Sequence, residues 1–152
     1  MRLLFIRHGD PDYEHDSLTP KGEREAELLA DKMEGEQLTH IYISPLGRAQ
    51  RTAAATLKRL RREGTTLDWL REFTYPIRLP ETGEEHLIWD FMPAFMRSYP
   101  QLYSAEGWQA PEFIRNSGVP RAYAAACAGL DALLAEHGYV REGNCYRAAR
   151  PN

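Results

Sequence analysis

Four consecutive apolar residues, Leu3-Leu4-Phe5-Ile6, stand near the start of the chain and are cut off by Arg7-His8-Gly9. An apolar run without alternation predicts a strand buried on both faces over residues 2–6. A polar loop, Asp10 to Ser17, leads to Thr19 and Pro20, which read as the N-cap and first position of a helix. Ala26, Leu29 and Met33 then recur at helical spacing, and the pattern stops near Gly35. Residues 40–43 read as a second strand. Pro45 opens a helix with the stripe Leu46, Ala49, Ala53, Leu57 and Leu60, and its basic last turn, Arg59, Arg61 and Arg62, suits the helix dipole. Residues 66–70 read as a third strand, running toward Glu72. Strands alternating with amphipathic helices predict an α/β fold with a mostly parallel central sheet in a three-layer α/β/α arrangement.

The middle of the chain loses this rhythm. Between Tyr75 and Pro120 lie six of the ten prolines, together with Trp89, Phe91, Phe95, Tyr99, Tyr103, Trp108 and Phe113 in no long period. This stretch reads as an insertion of short helices over one end of the sheet. Its aromatics divide between packing the insertion and facing a cleft, with packing the commoner use of such rings. A long helix follows from about Pro120 to Glu136 on the stripe Tyr123, Cys127, Leu130 and Leu134, and Gly138 stops it. Tyr139 to Ala148 reads as one more strand or a hairpin.

A length of 152 residues suits a single domain with one core, here taken as residues 1–152 with the insertion at about 75–120. The apolar share of 43%, the charged share of 27% and the net charge of −3 are those of a globular protein with no field to attract nucleic acid or an anionic membrane. The apolar run at the start is far shorter than the roughly 20 residues that span a bilayer or the 7–15 of a signal-peptide core. The expectation is a cytoplasmic protein with reduced Cys127 and Cys145, which show no metal spacing.

Candidate chemistry gathers at the strand ends, where open α/β sheets bind ligands. Arg7 and His8 follow the first strand, and Ser44-Pro45-Leu46-Gly47-Arg48 repeats the plan after the second, with Arg48 in the first helical turn. Two arginines and an imidazole are thereby expected to converge on one anion. Each guanidinium is a planar, permanently charged fork that matches phosphate oxygens, and the free N–H groups of a helix start favour the same anion. A lone histidine at a strand end is ordinarily a capping residue; flanked by these arginines, His8 reads as a nucleophile whose neutral imidazole needs no separate base. Arg51, one turn beyond Arg48, reads as solvated or paired.

These segments resemble the histidine phosphatase superfamily, which includes cofactor-dependent phosphoglycerate mutases and many small-molecule phosphatases. The matching text is Leu4-Phe5-Ile6-Arg7-His8-Gly9-Asp10, then Leu18-Thr19 with Gly22, then Ser44-Pro45-Leu46-Gly47-Arg48-Ala49-Gln50-Arg51-Thr52-Ala53, and Leu70-Arg71-Glu72, covering about the first half of the chain. The resemblance implies a phosphoglycerate mutase-like fold and hydrolysis of a small phosphorylated metabolite through a phosphohistidine on His8. It makes Arg7 and Arg48 the phosphate clamps and Glu72 the proton donor to the leaving oxygen, with no metal and no cofactor. Asp10, Glu81, Glu84 and Glu85 remain competing carboxylates for that last role. The family's mutases carry Glu-Arg-x-Tyr-Gly after the third strand, whereas this chain reads Glu72-Phe73-Thr74-Tyr75-Pro76, which favours a phosphatase.

One family feature has no counterpart. Members carry a second histidine, followed by glycine, at the end of a late central strand. His137 precedes Gly138 but sits at a helix end, where it reads as a cation suited to the dipole, and His86, His15 and His40 fit no better. The expectation is a chain that stops before the last core strand and helix, ending in Arg150-Pro151-Asn152. A phosphate-binding or regulatory module without turnover is then the rival reading.

Overall fold

The computed structural model describes residues 1–149; the ending Arg150-Pro151-Asn152 lies outside the described residues. The chain divides into two compact units, residues 1–72 and 73–152.

In the first unit, β1 (Pro11–Asp12) pairs antiparallel with β2 (Ser17–Leu18). Helix α1 (Pro20–Met33) starts where the sequence predicts: Thr19 is extended at φ −69° and ψ 166°, and its hydroxyl accepts from the Gly22 amide at 3.1 Å. Strand β3 (Tyr42–Ile43) leads into α2 (Gly47–Leu60), and β3 pairs parallel with β4 (Thr65–Thr66). Helices α1 and α2 pack on each other, and Ala26, Ala30 and Met33 of α1 are buried. Arg51 to Glu23, and Arg59 to Glu27 and Asp31, join the same two helices by ion pairs.

Three expectations are corrected here. Residues 2–6 are not a buried strand: Leu3, Leu4, Phe5 and Ile6 are 50, 43, 83 and 51% exposed. No strand pairs with them among the described residues, and an unpaired segment has nothing to cover its faces. The third strand is shorter than residues 66–70, because β3 ends at Ile43, whose carbonyl accepts from Leu67, and offers no partner beyond it. The chain turns instead through a single 3₁₀ turn, Asp68–Leu70. Finally, β3 and β4 are the one parallel pair among the described strands, so the structure does not contain the three-layer sheet in continuous form.

The second unit opens with the antiparallel pair β5 (Pro76–Arg78) and β6 (Glu85–Leu87). Short helices α3 (Pro93–Ser98) and α4 (Glu112–Arg115) precede α5 (Val119–Glu136). Its core is Ile77, Ile114 and Val119, surrounded by half-buried neighbours that include Phe91, Trp108 and Phe113. Phe91, Phe95, Tyr99 and Phe113 form a chain of ring contacts with centroids 4.9–6.3 Å apart. These four rings therefore pack the unit itself. Helix α5 ends at His137 and a left-handed Gly138 (φ +82°), as the sequence predicts. The hairpin β7 (Tyr139–Glu142) and β8 (Cys145–Ala148) follows, tied to α5 by Arg141 and Tyr146, which both bond Asp131. No described helix is long and apolar enough to cross a membrane.

A close backbone approach fixes the start of α1. A Cβ built on Gly22 would lie 2.3 Å from the Asp10 carbonyl oxygen and 2.9 Å from its amide nitrogen. In an open helix, glycine to alanine is stabilising by roughly 0.5–1 kcal/mol. Here the sign reverses: Gly22→Ala is expected to destabilise by about 1–3 kcal/mol, the range for forced overpacking. Gly35→Ala, whose Cβ meets nothing closer than 3.8 Å, serves as the tolerated control in urea unfolding, and equal midpoints for the two variants would refute the contact.

Candidate active site

Helix α2 begins without a local cap, since Leu46 offers no side-chain acceptor. Its free N–H groups are met from far away in sequence. Asp16, held at φ +44° on the turn between β1 and β2, accepts from the Gly47 amide at 2.6 Å through Oδ2. A carboxylate at a helix N-terminus satisfies orphan donors and complements the dipole. The approach requires glycine at position 47, because a Cβ there would lie 2.1 Å from the Asp16 carbonyl oxygen.

The same carboxylate holds the next residue. Arg48 is buried at 7% exposure, and its guanidinium donates from Nη1 to Asp16 Oδ1 at 2.6 Å and from Nη2 to Glu72 Oε2 at 2.5 Å. Arg48 Nε is also buried and has no hydrogen-bond acceptor among the described residues. The Asp16 carboxyl group is held below the ordinary aspartate value, first by the Gly47 amide and then by the Arg48 side chain, against the cost of its desolvation. Tyr13, on the same turn, lies under the guanidinium, with Arg48 Cζ 5.5 Å from its ring centroid.

His8 joins this group through its neighbour Gly9 and through the Tyr13 ring. Its Nδ1 lies 2.8 Å from the Gly9 carbonyl oxygen. A carbonyl only accepts, so this bond places a proton on Nδ1, and in the neutral imidazole the lone pair is then on Nε2. The Gly9 amide donates to Thr52 Oγ1 at 3.0 Å, and that hydroxyl donates to the Arg48 carbonyl at 2.8 Å. The Tyr13 ring meets the His8 imidazole edge-on, with centroids 6.5 Å apart.

Of the residues singled out by sequence, the structure thus links His8, Arg48 and Glu72 through bonds and ring contacts. Arg7 is exposed, and no hydrogen bond or ion pair joins it to the others among the described residues. Glu72 follows the 3₁₀ turn rather than a strand end, with its side chain 41% exposed. Asp10 is occupied by Thr19 and Lys21. Asp16, Tyr13 and Thr52 were missed by the sequence reading. The face of α2 that is buried is Arg48, Thr52 and Thr56, one position from the expected apolar stripe, and that polar row at i, i+4 and i+8 is the signal that would have found Thr52. No group of three described His, Cys, Asp or Glu residues is placed to hold a metal ion.

Residues 3–140 match the sequence profile of the histidine phosphatase superfamily (branch 1). Similar curated proteins include the probable phosphoglycerate mutase GpmB of Photorhabdus laumondii, 36% identical over 67 residues, which are 38% of this chain and 31% of that protein. The protein of the same name from Yersinia enterocolitica is 37% identical over 62 residues, 35% of this chain and 29% of that one. This chain spans about a third of the length of these curated relatives. Among solved structures, the alpha-ribazole phosphatase from Shigella flexneri shares the fold at a TM-score of 0.51 and 22% identity, over 87% of this chain and 66% of that one.

The Asp16 contacts have a pH signature. A carboxyl group whose folded value is depressed contributes stability that is complete above its ordinary value, here 3.8, and is lost as the pH falls through the lower folded value. Asp16→Asn removes this contribution, so wild type is expected to exceed the variant in stability at neutral pH and to converge on it below about pH 3.8. Urea unfolding of both proteins from pH 7 to pH 2.5 checks this. A difference that stays constant across the range would show that the charge of Asp16 is not what holds α2.

Proposed function

The chain belongs to the histidine phosphatase superfamily, and on that premise we propose that it hydrolyses a small phosphorylated metabolite through a phosphohistidine formed on His8. The observation that carries this reading is the buried Arg48, forked between two carboxylates at the start of α2 and tied through Thr52 and Gly9 to an imidazole with its Nε2 lone pair free. A buried, unmatched donor such as Arg48 Nε is also what a phosphate oxygen would satisfy.

In this reading, His8 Nε2 attacks phosphorus while the bond to the ester oxygen breaks. Glu72 delivers a proton to that oxygen as it leaves. Arg48, with Arg7 brought in from its exposed position, stabilises the negative charge carried by the in-flight phosphoryl group. An incoming phosphoryl oxygen that takes Arg48 Nη2 releases Glu72 from its ion pair. Water then attacks the phosphohistidine with Glu72 accepting its proton, the P–N bond breaks, and inorganic phosphate and His8 are regenerated. This chemistry uses no metal and no cofactor, and the ligand it calls for is a small anion-bearing molecule rather than nucleic acid or membrane.

The name carried by the curated relatives favours a mutase as the second reading. Against it stands Glu72-Phe73-Thr74-Tyr75-Pro76 in place of the Glu-Arg-x-Tyr-Gly of the family's mutases. The two readings differ in the acceptor of the phosphoryl group: water for a phosphatase, a second substrate hydroxyl for a mutase.

Incubation with a labelled phosphomonoester is expected to yield an acid-labile, base-stable phosphoenzyme that maps to His8 and is absent in His8→Ala. Label on a serine, or full activity in His8→Ala, overturns the mechanism; phosphate binding without any label would make the chain a binding module. Arg48→Ala is expected to weaken inhibition by inorganic phosphate by about 1.5–3 kcal/mol, the range for hydrogen bonds to charged groups. Arg48→Lys should recover only part of that, since the lysine lacks the fork. Unchanged phosphate inhibition in Arg48→Ala would remove this residue from the clamp.

A further inference from the structure

We propose that Tyr13 is a positioning residue of this site, its ring holding the His8 imidazole and the Arg48 guanidinium in one fixed register; the proposal rests on the phosphatase reading above. Tyr13 is 65% exposed, so it contributes little to the core, and surface rings of this kind usually wander among rotamers. This one makes two directed contacts instead. Arg48 Cζ lies 5.5 Å from the ring centroid, within the range at which a cation is attracted to an aromatic face. The imidazole of His8 meets the ring at an interplanar angle of 85°, the edge-on arrangement that aromatic quadrupoles favour. A single side chain thus touches both the group that would attack phosphorus and the group that would hold the phosphoryl oxygens.

The turn that carries Tyr13 is braced at both ends. Asp12 accepts from the His15 amide at 3.3 Å and meets His15 Nδ1 at 2.9 Å. Asp16 is anchored to Gly47 and Arg48. Between these anchors the ring has a defined position relative to α2, and that position is transmitted to His8. The bonds through Gly9 and Thr52 fix the backbone of the His8 segment, whereas the orientation of the imidazole plane depends on Nδ1 and on this ring. Phosphoryl transfer demands that nucleophile and clamp be correctly placed at the same moment.

Both contacts are made by the ring rather than by the hydroxyl, and this sets the test. Inorganic phosphate affinity, the rate of phosphohistidine formation and the thermal midpoint are measured on the full chain for wild type, Tyr13→Phe and Tyr13→Ala. Tyr13→Ala is expected to leave the thermal midpoint near that of wild type, to weaken phosphate binding about two- to fivefold, as for loss of an exposed cation–π contact, and to slow phosphorylation of His8 by more than that. Tyr13→Phe is expected to restore both. Equal impairment in the two variants, or no effect of either, overturns the proposal. Absence of His8 phosphorylation in wild type would be a failure of the phosphatase reading, and the proton resonances of the His8 imidazole then decide the contact alone. They should move in Tyr13→Ala and stay in place in Tyr13→Phe, and unmoved resonances in Tyr13→Ala overturn the placement.

Discussion

The first unit depends on a cation that is largely withdrawn from water. Arg48 is nearly buried, and a guanidinium in that position must be compensated by groups that come to it. Asp16 and Glu72 do so from opposite directions along the chain. Each carboxylate is about two-fifths exposed, so each pairing taken alone is screened and worth little, about 0–1 kcal/mol on the scale of surface ion pairs. The asymmetry lies in the alternative: a buried charge stripped of its partners costs on the order of 3–5 kcal/mol. Arg48 therefore acts as a geometric demand. It brings the β1–β2 turn and the segment after β4 to the start of α2, and that gathering is what creates a site.

Two glycines make the gathering possible at short range. Gly47 lets the Asp16 backbone lie against the first turn of α2, and Gly22 lets Asp10 lie against α1. The loop that carries Tyr13 is thereby held to α1 near Asp10 and to α2 at Asp16. The pairing of α1 with α2 rests on small buried alanines and on exposed ion pairs along its margin. Polar contacts decide how the loops attach, and apolar contacts decide how the helices meet.

How much of this the sequence displayed follows from the range of each interaction. The helices were legible because their determinants are local: Thr19 and Pro20 mark one start, Gly138 marks an end, and the observed bounds follow. Arg7-His8-Gly9 stood out because charge directly after an apolar run is conspicuous, and Arg48 because it falls in the first turn of a helix that follows a second such run. Asp16 did not, because an aspartate in a polar loop looks the same whether it is solvated or caps a helix 31 residues away. Tyr13, in the same loop, was hidden for the same reason, whereas Thr52 was marked by the polar row it shares with Arg48 and Thr56. The burial expected of Leu3 to Ile6 failed because apolar character states only a preference; the cover has to come from a neighbouring strand, and none lies beside these residues among those described.

The ties that build the candidate site all lie within the first 72 residues. Gly9 reaches Thr52 across 43 residues, Asp16 reaches Gly47 across 31, and Arg48 reaches Glu72 across 24. Loop-closure entropy grows only slowly over such distances, so the closures cost nearly the same and none depends on residues after Glu72. A growing polypeptide emerges N-terminus first, and its domains tend to fold in that order. The residues that bond Arg48 are therefore all synthesised before those of the second unit. Every later residue is then added to a chain in which Asp16, Glu72, Thr52 and Gly9, the residues that bond Arg48 or steady the backbone beside His8, are already present.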